Sequence, residues 1–159
     1  MKLLGWSFVL SPLVIGGIMM PFAWLSLAKK TNENIYKWAG IFGIITIAIA
    51  IISAPFLFVS LYEFFTNNYS IEDLASTTTF LSLLGIASIA GIIYLVFTIM
   101  SLFKVSQIHN VQNLKNLTIA LIVCLVLTLI PFIGFLASIA LIVVYVLIGI
   151  QILNIKEAQ

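Results

Sequence analysis

Ser106 and His109 stand three residues apart, close enough on one helical face for an imidazole to reach a hydroxyl. That pairing is the start of nucleophilic catalysis, in which a base takes the proton of the attacking oxygen. Its third member is missing, because no acid lies nearby to orient the ring as a triad requires. The pair therefore reads as part of a short, solvated polar loop with no catalytic role. His109 is the only histidine and Cys124 the only cysteine. Bis-histidine haem ligation within one chain is excluded, and so is a Cys/His zinc site. Cys124 sits in an apolar run and reads as a small buried hydrophobe. The sequence carries no catalytic, metal or cofactor motif, and no enzyme activity is expected from it.

The other groups able to contact a solute are hydroxyls set in apolar runs: Thr46, Ser53, Ser88 and Thr98. They suit a neutral or lipidic solute. Ion-coupled transport, proton relays and voltage sensing need ionisable groups within the membrane, and none of the apolar runs contains one between its ends. Glu63, just past one run, reads as an interfacial acid in water.

These side chains are carried by a chain that water cannot cover. Of 159 residues, 63% are hydrophobic and 8% charged, against about 25% charged in soluble domains. A small fold keeps much of its surface in contact with solvent, so that solvent is lipid. Intrinsic disorder is excluded by the same figures. The net charge of +2 is too small to argue for nucleic acid, and every basic residue is lysine.

A hydrocarbon core of ~30 Å needs about 20 apolar helical residues. Charged residues cut the chain into pieces of that size: Leu3–Ala28, Trp38–Tyr62, Phe80–Phe103, and an uncharged run from Asn116 to Ile155. The run after Leu3 is longer than the about 7–15 residues of a signal-peptide core, and reads as a first span. The last run would reach close to 60 Å as one helix. Pro131 and Gly134 divide it into Leu114–Ile130 and Phe132–Leu153. Pro131 lacks an N–H, and Gly134 is free to take a positive φ in a turn. The sequence thus predicts a single all-α membrane domain over residues 1–159, with five transmembrane helices and a tight hairpin between the last two. The alternative is four spans with a kinked last helix. Pro12, Gly16, Gly17 and Pro21 interrupt the first span, which should bend or break there, as a packing helix more than as a substrate site. Ser70 with Asp73 reads as the capped start of the third helix.

With five spans, Lys29, Lys30, Lys37, Lys104, Lys115 and Lys156 share one side, and Lys2 stands alone on the other. By the positive-inside rule the chain lies in a plasma or inner membrane, N-terminus outside and C-terminus cytoplasmic. Trp24 and Trp38 read as an aromatic belt at the inner face; Trp6, Tyr62, Phe64, Phe65 and Tyr69 read as one near the outer face.

Small residues at helical spacing mark where helices approach closely in lipid. They are Thr46, Ala50 and Ala54 on the second span, extended by Ala39 and Gly43, then Ala87 and Gly91 on the third, and Gly134 and Ser138 on the fifth. The expected function follows by subtraction. It is a non-catalytic protein acting through helix–helix contacts, such as an accessory or assembly subunit of a membrane complex or a membrane immunity or regulatory protein. Its partners are the lipid bilayer and another membrane subunit or further copies of itself. The alternative is a small oligomeric channel or facilitator for a neutral or lipidic solute.

Overall fold

A computed structural model describes residues 1–66, 71–130 and 133–155. The described chain is all-helical: α1 Lys2–Val9, a 3-10 turn Ser11–Leu13, α2 Ile15–Thr31, α3 Asn34–Thr66, α4 Ile71–Ile108, α5 Gln112–Leu127 and α6 Ile133–Leu153. Among the described residues three stretches are long and apolar enough to cross a membrane: Asn34–Phe56, Gly85–Ile108 and Ile133–Leu153. Gln112–Leu127 is a shorter apolar helix. A membrane protein is the class these helices indicate.

The first apolar run departs most from the sequence expectation. It is two helices, not one span over residues 3–28. The break falls around Pro12, whereas Pro21 is accommodated inside α2. Val14 turns the chain with φ 66, a conformation a β-branched residue rarely takes. Three backbone donors are satisfied within the turn. The Leu13 N–H donates to Leu10, Val14 to Ser11 and Gly16 to Leu10, at 3.0–3.1 Å. Leu13, Val14 and Ile15 are 64%, 72% and 57% exposed at its tip. Such a tip suits hydrocarbon, where open backbone groups are costly and apolar side chains are not.

Past the tip the chain doubles back. The Phe8 ring meets Trp24 edge-on at 6.3 Å, although a straight helix would hold them ~24 Å apart. Met1 and Lys2 line the same cavity as Ser26 and Lys30. Lys2 therefore sits at the Lys30 end of the molecule, not at the opposite one as a single span would require. The same fold-back removes Trp24 from any aromatic belt. It is fully buried and stacks on Tyr36 at 5.7 Å, while Trp6 and Trp38 stay exposed.

Each helix packs on its neighbours in sequence, and α6 closes on α1. Among the described residues no helix pair crosses the middle, so the bundle is a ring around shared side chains. Stacked and edge-on aromatics tie four helices together, running from Tyr145 through Phe8 and Trp24 to Tyr36. Leu102, Leu114, Leu121 and Ile148 fill the remainder of the core.

The last two helices lie side by side. Thr128 O faces Gly134, and Leu121 lines a cavity with Tyr145. The chain thus reverses between α5 and α6; Pro131 itself lies outside the described residues. Gly134 does not supply a positive φ, since no described glycine has one. It belongs to the first turn of α6, and its N–H donates to Ile130 O at 2.8 Å. Its smallness makes room for the Thr128 carbonyl, 2.7 Å from where a Cβ would stand. The loop expected between Glu63 and Thr79 is largely helical, with α3 running to Thr66 and α4 starting at Ile71. Ser70, Asn68, Tyr69 and Lys156 lie outside the described residues.

Candidate functional site

An apolar arm formed by α3 and α4, and a row of polar groups inside the ring, are places where another molecule could be engaged. The arm follows from length. At 1.5 Å per residue the 33 residues of α3 reach ~50 Å and the 38 of α4 ~57 Å. The 21 residues of α6 reach only ~32 Å. Among residues whose burial is described, none beyond Gly43 on α3 and none before Ala90 on α4 is buried. Phe58, Val59 and Tyr62 on that part of α3, and Leu81 on that part of α4, are exposed.

The small residues picked from the sequence lie mostly along this pair. Ala50 is exposed, as is Ser138 on α6; Thr46, Ala54, Ala87, Gly91 and Gly134 are half-buried. A Cβ at Gly91 would meet no atom within 4 Å. Closer approaches are made at Gly43, which extends that stripe, and at Gly149, which lies outside it. A Cβ on Gly43 would come 2.5 Å from Pro21 Cγ and 2.8 Å from Tyr94 Cε2, beside fully buried Ala39. A Cβ on Gly149 would come 2.7 Å from Gly5 O. The seam of Gly5 against Gly149 left no local signal, because its two halves lie at opposite ends of the chain.

Inside the ring, Tyr94 and Thr98 line a cavity of about 70 Å³ with Met20, Gly91, Leu121 and Tyr145 among others. Water occupies about 30 Å³ per molecule, so this space suits one or two small polar molecules. Trp24 Nε1, Tyr94 Oη, Thr98 Oγ1 and Ser101 Oγ are buried without a hydrogen bond among the described residues. The hydroxyls expected to line a solute path do not gather here. Thr46 Oγ1 donates to Phe42 O at 2.8 Å and Ser53 Oγ to Ile49 O at 2.7 Å, each within its own helix. Ser88 is exposed, and of the four only Thr98 reaches the interior.

Ser101 yields a measurable consequence. An unpaired buried hydroxyl costs about 1–3 kcal/mol, so Ser101→Ala should hold or raise the melting temperature of the detergent-purified protein. A loss of several degrees would mean that the hydroxyl has a partner in the working protein.

Ser106 and His109 fall in different settings. Ser106 lies in the last turn of α4, buried, not in a solvated loop, and its Oγ donates to Phe103 O at 2.8 Å. His109 follows in the turn to α5, its N–H on Val105 O. Among the described residues no three His, Cys, Asp or Glu side chains gather as metal ligands. Compared with known protein families, with curated proteins and with solved structures, the chain matches none.

Proposed function

We propose that this is a non-catalytic multi-pass membrane protein that acts through helix–helix contacts, as an accessory or assembly subunit of a membrane complex or as a membrane immunity or regulatory protein. The observation that supports this is the α3–α4 arm. Beyond Gly43 on α3 and before Ala90 on α4 no residue of described burial is buried, and Phe58, Val59, Tyr62 and Leu81 are exposed there. A long apolar helix pair left uncovered by the rest of the chain offers a face on which a partner's helices can pack in lipid.

In this reading the chain sits in a plasma or inner membrane with the lysine end cytoplasmic. Lys2 shares a cavity with Lys30, Lys29 shares another with Lys37, and Lys104 pairs with Glu33 at 3.4 Å. Lys115 follows in the first turns of α5, just past the turn from α4. The α1–α2 hairpin enters from that side and returns to it, and α3 to α6 cross. Met1 and the end of α6 then both face the cytoplasm.

Affinity purification of the full chain from native membranes in mild detergent tests the proposal. One partner should co-purify in fixed ratio and be lost when Phe58→Ser and Leu81→Ser are combined, with the protein still in the membrane. A symmetric homomer untouched by these changes would favour the channel or facilitator instead.

A further inference from the structure

A cavity of about 550 Å³ lies at the lysine end, where the chain turns from α2 into α3. That is within the about 300–1,000 Å³ typical of small-molecule sites. Its wall is two-toned. Phe22 and Leu25 line the part toward the middle of the bilayer, and Phe22 is 53% exposed to the membrane side. Lys29, Lys37, Asn32 and Asn34 line the part at the cytoplasmic end.

The local fold explains this arrangement. Asn32 ends α2 in the left-handed conformation, φ 55 and ψ 26, which asparagine tolerates, and its N–H donates to Ala28 O. Two residues later α3 begins, so Lys29 in the last turn of α2 and Lys37 in the first turn of α3 are brought to one cavity. Glu33 also lines it, but its carboxylate pairs with Lys104 Nζ at 3.4 Å. Neither Lys29 nor Lys37 has an ion pair among the described residues. The cavity therefore keeps a net positive rim.

We propose that this cavity binds an anionic phospholipid of the cytoplasmic leaflet. The phosphate sits between Lys29 and Lys37, the side-chain amides of Asn32 and Asn34 donate to headgroup oxygens, and an acyl chain runs along Leu25 and Phe22 into the bilayer. Both parts of the wall are needed. A soluble phosphate would leave the apolar half unused, and a zwitterionic lipid brings a cation to a rim that already carries two. Lys104 is a positioning residue, because by engaging Glu33 it keeps that carboxylate from opposing the phosphate.

Native mass spectrometry of the full chain, released from mild detergent, tests this with phosphatidylglycerol, phosphatidylcholine and inorganic phosphate as probes. Basic residues near an anionic lipid surface contribute roughly fivefold each. Phosphatidylglycerol should be retained at least about tenfold over phosphatidylcholine. Lys29→Gln with Lys37→Gln should abolish that preference, and Lys104→Gln should weaken it about fivefold. Lys115→Gln, at the same end but outside the cavity, should leave it intact. All four lysines can be changed without touching the buried core, and an unchanged melting temperature confirms that each variant is folded. Equal retention of both lipids would overturn the proposal, as would an effect of Lys115→Gln equal to that of the double variant. Displacement of the lipid by millimolar inorganic phosphate would assign the site to free phosphate instead.

Discussion

A cysteine at position 2 will react from the same side of the membrane as a cysteine at position 30, once Cys124 has been replaced by serine. In intact cells an impermeant thiol reagent should label neither, and after permeabilisation it should label both. A cysteine at position 66, where α3 ends, should be labelled without permeabilisation. The difference is close to all-or-none, because the reagent either meets the thiol or is held off by the bilayer. The geometry behind it is the doubled-back first run, which sets Lys2 and Lys30 around one cavity and lays Phe8 on Trp24. It also accords with the energetics of lysine. In a single span Lys2 would be the one basic residue held on the outer face, whereas in the hairpin it joins the others. Labelling of position 2 in intact cells, with position 30 protected, would restore the straight span and overturn the hairpin.

The helical membrane class was legible in composition alone, since 63% hydrophobic and 8% charged residues leave no other solvent for the surface. So were the stretches at the centres of α3, α4 and α6, where an apolar run of spanning length meets lysines at its end. Direction was the harder quantity. A hydropathy pattern records how long a run is but not whether it folds back midway, and Leu3–Ala28 has the length of a span either way. Pro12, Gly16 and Gly17 marked a weak point without showing how far the chain would turn there. The turn depends on what α1 can pack against, and its partner α6 begins more than 120 residues later in the sequence.

The same limit applies to the side chains. Trp24 beside Lys29 and Lys30 has the pattern of an interfacial anchor, and only the return of α1 makes it core. Ser106 looked solvated because polar residues follow it, yet it belongs to the last turn of α4 with its hydroxyl bonded within the helix. The lysine-end cavity escaped a search by motif, because its cationic pair belongs to two helices and its apolar wall to the turns before them. Small-residue spacing found Gly43, where α2 and α4 both press against α3, but gave equal weight to Ala50 and Ser138, which face outward. Spacing reports that a close approach is possible on a face; a second helix decides whether it happens.

Gly149→Val should be the most damaging single substitution on α6. A Cβ at Gly149 would stand 2.6 Å from Val9 Cγ2, 2.7 Å from Val9 N and 2.7 Å from Gly5 O. Two of these three atoms are backbone, so rotation of a side chain cannot relieve the clash, and α1 must move off α6. Overpacking in a well-packed interior costs about 1–3 kcal/mol, and here the strain falls on an eight-residue helix. That helix is too short to persist without its tertiary contacts. Its departure would expose Phe8 and Tyr145, which stack at 5.8 Å, and open one side of the ring. At roughly 2–4 °C per kcal/mol for a chain of this size, the melting temperature in detergent should fall by about 2–12 °C. Protease should also cleave sooner between residues 9 and 15. Gly91→Ala is the matched control, because no atom lies within 4 Å of its Cβ position and alanine favours helix over glycine by about 1 kcal/mol. It should melt at or above the parent temperature. If both variants melt together with the parent, the close contact between α1 and α6 is absent from the working protein, and the hairpin that places Lys2 beside Lys30 loses its outer support.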